Sequence, residues 1–140
     1  MTRRTVHPRG ADLSESQEDY LETILRILED HPCVHASEIA RRMEVSGASV
    51  TGALRVLARK RLVRYEPYAP VTLTPTGRSA ARRIARRHAA LRDFFLVTLR
   101  ATRAEAERCA CRLEHVLPTR LLDRIAVVGR TIQIHREVAS

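Results

Sequence analysis

Apolar positions recur along the chain at two different spacings. Tyr20, Ile24, Ile27 and Leu28 fall at helical intervals, and Ser14-Glu-Ser-Gln17 before them offers a Ser N-cap with a capping Gln. A first helix is predicted from there to His31-Pro32, because Pro disfavours helical backbone in the residue before it. Ser37 is expected to cap a short second helix, Glu38 to Met43, that turns Ile39, Ala40 and Met43 inward. A break at Ser46-Gly47 leads into a longer helix with Val50, Leu54 and Leu57 on one face. The period then changes. Leu62 to Tyr65 is short and β-prone, Pro67-Tyr-Ala-Pro70 is a turn, and Val71 to Leu73 returns as a second strand. Two short strands after a helix-turn-helix make a winged helix. Thr74-Pro-Thr-Gly77 opens a long Arg-studded helix through His88 toward Leu99, and a further helix is predicted from Thr102 to Leu117. Beyond Gly129 the weak alternation of TIQIHREVAS fits strand, helix or loose chain alike. The fold class is therefore mainly α with a small β-wing. A loose arm over residues 1–13 precedes a winged helix-turn-helix over 14–77 and a helical domain over 78–140.

Composition narrows the function. With 140 residues, 44% hydrophobic and 29% charged, the chain is an ordinary globular protein of one domain or two small ones. Only 4% of residues are aromatic and Trp is absent, which argues against stacking platforms for single-stranded nucleic acid. The net charge is +9, and its distribution is uneven: −6 over Asp12 to Asp30, +6 over Arg41 to Arg64 and +7 over Arg78 to Arg103. Every base except Lys60 is Arg, which suits planar phosphate contacts, although a GC-rich coding bias gives the same excess. No apolar run approaches the roughly 20 residues of a membrane span, and the first residues lack the apolar stretch of a secretory signal. Three cysteines cannot all pair within one chain, and Cys109 and Cys111 are too close to bridge without strain. A reducing cytoplasm and no membrane partner are expected.

Two groups of residues carry candidate chemistry. The run Ser46-Gly-Ala-Ser-Val-Thr51 gives the third helix a small, polar N-terminus of the kind that enters a major groove. Ser46, Ala48, Ser49 and Thr51 are placed to reach bases, with Arg55 and Arg59 nearer phosphate, Arg64, Tyr65 and Tyr68 of the wing toward the DNA backbone, and Ser37 a further DNA-binding candidate. A winged fold used only for protein contacts is the alternative, disfavoured by the +6 block. The second group lies in the flanking helices. Asp19 and Glu22 are three apart, and Cys111, Glu114 and His115 stand at i, i+3 and i+4, so each set projects from one helix face. With His88 they offer carboxylates, imidazoles and a thiolate, donors matched to a divalent first-row metal. Taken singly, the acids fit a solvated face, His88 a surface residue, and Cys111 a small buried hydrophobe.

Glu18-Asp-Tyr-Leu-Glu22, Ser37-Glu-Ile-Ala40, Val45-Ser-Gly-Ala-Ser-Val-Thr51, Leu73-Thr-Pro-Thr-Gly77, Arg87-His88 and Cys111-Arg-Leu-Glu-His115 occur in an order and spacing of their own. Together, over residues 14 to 126, they resemble the diphtheria-toxin-repressor family of iron- and manganese-dependent transcriptional repressors. That resemblance implies a homodimer in which residues 78–140 form a metal-binding and dimerisation domain, and which binds palindromic double-stranded operators near metal-uptake genes when loaded with metal. It places metal ligands at Asp19, Glu22, His88, Cys111, Glu114 and His115. Asp19 and Glu22 are similar to the manganese-sensing branch, whereas Cys111 is what the iron-sensing branch carries. Mn²⁺ or Fe²⁺ is the implied cofactor, with Zn²⁺ or Co²⁺ able to substitute in vitro. Of the iron branch's ancillary site, His88 and Glu107 match or replace parts, while Arg92 stands where an acid is expected. The short manganese-type architecture, without the iron branch's extra C-terminal domain, is the expected arrangement. Gly52 departs from the longer polar side chain carried at that recognition-helix position.

Two other classes remain open. A winged-helix regulator responding to an organic ligand, or to oxidation at Cys109 and Cys111, would leave DNA binding indifferent to Asp19 or Glu22. An enzyme is remote: the chain has no Gly-rich phosphate loop, no His-Glu-x-x-His zinc helix and no nucleophile elbow. His7, His31, His35 and His135 are expected to be ordinary surface residues.

Overall fold

The computed structural model describes residues 13–140; the N-terminal arm, including His7, otherwise lies outside the described residues. The chain divides into two compact units, Met1–Arg82 and Arg83–Ser140.

In the first unit, α1 (Glu15–Asp30) begins with the capping box expected from Ser14 and Gln17, each side chain bonded to the other's backbone N–H. Its apolar stripe of Tyr20, Leu21, Ile24, Leu25 and Ile27 is buried. The next helix, α2 (Ala36–Met43), starts earlier than Ser37 would set it: His35 is the N-cap, with no side-chain cap, and Ser37 is already inside the first turn. The cause is non-local. Val34 pairs with Val71 in an isolated bridge, Val71 N–H donating to Val34 O at 2.7 Å, and this contact sets where helix can resume.

The turn into α3 (Gly47–Arg59) uses a left-handed Glu44 (φ 56°), whereas Gly47 is the first helical residue and has no positive φ. The Val45 N–H closes back on Ala40 O, five residues earlier, so the helix end is satisfied in the Schellman manner despite the side chain at the left-handed position. Ser46 caps α3 by accepting from Ser49 N–H. Buried Val50, Leu54 and Leu57 face Ile39 and the α1 stripe in one core. The wing is two residues per strand: β1 (Val63–Arg64) runs antiparallel to β2 (Thr72–Leu73), with Val63 opposite Leu73. Tyr68, at φ 64°, stands fully exposed between the strands.

Helix α4 (Pro75–Val97) starts where Thr74-Pro75 predicts, with Pro at the first helical position and the Thr74 hydroxyl accepting from Gly77 N–H at 3.0 Å. The boundary between the two units falls within this helix. In the second unit, α5 (Arg103–Leu113) is opened by a Thr102–Glu105 capping box. It is shorter than the predicted span to Leu117: Glu114 to Leu117 form a turn in which the Val116 and Leu117 N–H groups both close on Leu113 O, and α6 (Thr119–Val138) follows Pro118. The tail that alternates weakly in sequence is thus helical. Leu91, Ala110 and Leu122 form this unit's core, with Phe95, Leu113, Leu117 and Ile125 against it. Leu121, Val127, Val128, Ile134 and Val138 of α6 are exposed. No helix among the described residues is long and apolar enough to cross a membrane.

Two glycines give opposite expectations. A Cβ on Gly77 would fall 1.8 Å from the Leu62 carbonyl oxygen, whereas a Cβ on Gly52 meets nothing within 4 Å. Gly77→Ala should therefore cost about 2 kcal/mol or more through backbone displacement. Gly52→Ala should stabilise by roughly 0.5–1 kcal/mol through helix propensity. Denaturant unfolding of both variants checks the pair, and equal effects would contradict it.

Candidate metal centre and nucleic-acid interface

Helix α4 contributes one buried imidazole to the second unit. His88 is 1% exposed, so its placement differs from that of a surface residue among arginines. Both ring nitrogens face carboxylates: Nδ1 lies 2.9 Å from Glu114 Oε2, and Nε2 lies 2.7 Å from Glu107 Oε2. A neutral imidazole carries a single N–H and can donate to only one of them. Both contacts are satisfied together by a doubly protonated ring, or by a metal in the place of one proton.

Helix α5 and the turn after it present the other donors. Ala106 and Ala110 are fully buried and small, and the adjacent stripe of Glu107, Cys111 and Glu114 is turned toward His88. Cys111 Sγ lies 3.9 Å from His88 Nδ1, and His115 Nε2 lies 3.1 Å from Glu114 Oε1. Cys111 is itself exposed, so it does not behave as a buried hydrophobe. One ligand atom from each of His88, Glu107 and Cys111 lies within 4.8 Å of the others. Imidazole, carboxylate and thiolate at this separation fit a divalent transition metal in donor type. Arg92, one turn after His88, approaches Glu107 Oε1 with Nη1 at 3.7 Å.

In the first unit, Asp19 is half-buried and Glu22 is buried, so Glu22 is not on a solvated face. Glu22 accepts from Arg26 Nη2 at 2.7 Å. This pairing was legible, since Glu stands four residues before Arg on one helix, yet the metal-ligand pattern does not call attention to Arg26. His31, His35 and His135 are exposed.

The candidate DNA-facing residues lie on α2, α3 and the wing. Ser46, Ala48, Ser49, Arg55, Arg59, Arg64 and Tyr68 are exposed, as is Ser37, while Thr51 and Tyr65 are half-buried. The Ser46 and Ser49 hydroxyls are 2.9 Å apart. Lys60 Nζ, beyond the end of α3, donates to Gln17 Oε1 at 2.8 Å and so ties α3 to the start of α1. On α2, Glu38 accepts from Arg41 Nη2 at 2.6 Å and Arg42 Nε at 3.0 Å. These bonds hold its carboxyl down at about 2, against an ordinary value of 4.5. The Glu38 charge and its pairing are thus complete above pH 4.5 and are lost only as pH falls through about 2.

The first unit is thus a winged helix-turn-helix, and the second brings together the metal-donor side chains His88, Glu107, Cys111 and Glu114, buried at His88 and Glu114 and open at Cys111. Residues 12–71 match the family described as iron dependent repressor, N-terminal DNA binding domain, and residues 74–134 match its metal binding and dimerisation domain. The chain belongs to the iron-dependent repressor family, whose members are transcriptional regulators. An uncharacterised HTH-type transcriptional regulator of Methanocaldococcus jannaschii is 34% identical, over 82% of this chain and 93% of the relative. The HTH-type transcriptional regulator MntR of Geobacillus kaustophilus is 32% identical, over 87% of this chain and 84% of the relative. Among solved structures, a manganese-dependent transcriptional repressor in complex with manganese superposes with a TM-score of 0.75 and 33% identity, over 81% of this chain and 52% of that one. The manganese regulator SloR gives a TM-score of 0.67 and 29% identity, over 78% and 51%. The chain spans about half the length of these solved structures.

Two measurements bear on this geometry. His88→Leu removes the imidazole from buried Glu114 and is expected to destabilise the metal-free protein by about 3 kcal/mol. Cys109→Ala, at an exposed neighbour on α5, should stay within about 0.5 kcal/mol. Denaturant unfolding of both in chelator is the check. The Glu38 carboxyl carbon, followed by NMR, should titrate near 2 in the wild type and return toward 4.5 in Arg41→Ala/Arg42→Ala. A wild-type midpoint near 4.5 would contradict the ion-paired geometry.

Proposed function

We propose that the chain is a cytoplasmic repressor of metal-uptake genes, activated by Mn²⁺ or Fe²⁺ and bound as a homodimer to a palindromic DNA operator. The observation that most supports this is the buried His88 imidazole, faced by Glu107, Glu114 and Cys111 in a chain whose third helix and wing carry exposed arginines. The proposed ligands are Asp19, Glu22, His88, Cys111, Glu114 and His115; Zn²⁺ and Co²⁺ would substitute in vitro. Carboxylates suit Mn²⁺, and the Cys111 thiolate shifts the balance toward Fe²⁺. The exposed apolar side chains of α6 supply surface for the dimer.

Bound at those residues, a divalent cation supplies the positive charge that a group of carboxylates and a thiolate lacks. Asp19 and Glu22 belong to α1, whose Gln17 holds Lys60 at the end of α3. Ligand roles for these two acids and for His88, Cys111, Glu114 and His115 therefore restrict the recognition helix through α1. Operator half-sites require recognition helices roughly 34 Å apart, so restricting them favours DNA. By linkage, DNA must tighten metal binding by the same factor. Ser46, Ala48, Ser49 and Thr51 supply base contacts, while Ser37, Arg55, Arg59, Arg64 and Tyr68 contact the backbone.

The test is anaerobic titration of metal-free protein with Mn²⁺, Fe²⁺ and Zn²⁺, read as anisotropy of a labelled palindromic duplex selected from a random pool. Binding should require metal, and Asp19→Ala should weaken the metal response about 10- to 100-fold. Cys111→Glu should shift preference from Fe²⁺ toward Mn²⁺. Equal binding in chelator and in metal would instead support a regulator that senses an organic ligand or cysteine oxidation.

A further inference from the structure

The wing displays a side chain that its own backbone does not favour. In the loop from Tyr65 to Pro70, the Ala69 N–H donates to Glu66 O at 3.2 Å and closes a four-residue turn. Pro67 is the second residue of that turn and Tyr68 the third, at φ 64°. Pro followed by a left-handed residue marks a type II turn, whose third position is normally Gly. A bulky side chain there is an outlier that costs free energy. Packing does not offset that cost, since the Tyr68 ring is fully exposed. The loop that carries it is nevertheless anchored. Val63 and Val71 at its base are buried, the Val71 N–H is bonded to Val34 O, and Pro67 and Pro70 restrict the chain between. A ring held out at a local cost, on an anchored loop of a DNA-binding domain, is placed to meet a partner.

The chemistry of the tip narrows what it meets. Glu66-Pro-Tyr-Ala-Pro70 holds an acid and no base, and the exposed base of the wing is Arg64, further back on β1. Attraction to phosphate therefore lies at Arg64 and not at the tip. Tyr68 offers an uncharged flat ring that ends in a hydroxyl able to donate or accept. With α3 in the major groove, the hairpin that follows it lies at the groove edge. The next groove along the duplex is the minor one, roughly 6 Å wide, and a single ring fits between its walls. There the hydroxyl meets adenine N3 or thymine O2, whereas the guanine N2 amino group fills the floor of a G·C pair. We propose that Tyr68 reads the minor groove beside each operator half-site and makes A·T pairs preferred there. This rests on the DNA-binding reading of α3 and the wing and requires nothing of the metal. It goes beyond a backbone contact, because Tyr68 then sets operator sequence outside the bases that α3 touches.

The test is anisotropy of labelled palindromic duplexes with the selected half-sites held constant, in Mn²⁺ and again in chelator. The pairs adjoining each half-site are varied among A·T, G·C and inosine·C. Inosine lacks the N2 amino group yet keeps the major-groove pattern of guanine. Wild type should bind A·T and inosine·C duplexes alike and G·C duplexes about 10-fold more weakly. Tyr68→Gly suits the left-handed turn, so it should unfold at the same or a higher denaturant concentration and yet lose the preference. Tyr68→Phe keeps the ring without the hydroxyl and should retain part of it. Inosine·C behaving as G·C, a preference that survives Tyr68→Gly, or an equal loss on all three duplexes would each overturn the reading role. Wild type that binds all three duplexes equally removes that role and leaves the DNA-binding reading standing. Wild type that binds no duplex in either medium removes both.

Discussion

A buried imidazole between two carboxylates constrains the whole second unit. Polar groups out of reach of water must find partners, and His88 has its partners on a different helix and the turn that follows it. These contacts, with the Leu91–Ala110–Leu122 core, hold the later part of α4 to α5 and the turn after it. Leu91 and Leu122 pack with Ala110 on the apolar side of the same contact, so one stripe of α5 builds the core while its neighbour supplies the donors.

The same economy of position governs the first unit. It holds most of the buried apolar side chains, yet single contacts fix where elements begin or end: the Val34–Val71 bridge for α2, the Leu62 carbonyl beside Gly77 for α4, the Lys60–Gln17 bond for the end of α3. The wing has only two residues in each strand, so it depends on these anchors more than on its own ladder.

Local signals were the most legible in the sequence. Ser14 with Gln17, Ser46 before α3 and Thr74-Pro75 before α4 each place a helix start, because a cap is a contact between residues three apart. Ser37 misled for the complementary reason: the true start of α2 is set by a strand bridge far along the chain. The helical tail was obscured because its apolar residues, Val127, Val128, Ile134 and Val138, are spread over exposed positions and give little periodicity. At the cluster, the spacing of Cys111, Glu114 and His115 predicts one helix face, but α5 ends at Leu113 and places Glu114 and His115 at its cap and in the turn beyond; the burial of His88 among arginines depends on packing that no local pattern encodes. The basic character of the Arg41–Arg64 block was plain in the charge count, but the count treats every arginine as equally available.

Glu38 shows why that matters. Its carboxylate holds Arg41 and Arg42 in one cluster on the exposed surface of α2. Two long side chains that would otherwise sample many rotamers are already narrowed before any polyanion arrives. The cluster consequently presents a reduced net charge, with part of the side-chain entropy of both arginines already spent. Long-range attraction is thus reduced at this corner, and the two guanidiniums are left with a narrower set of orientations.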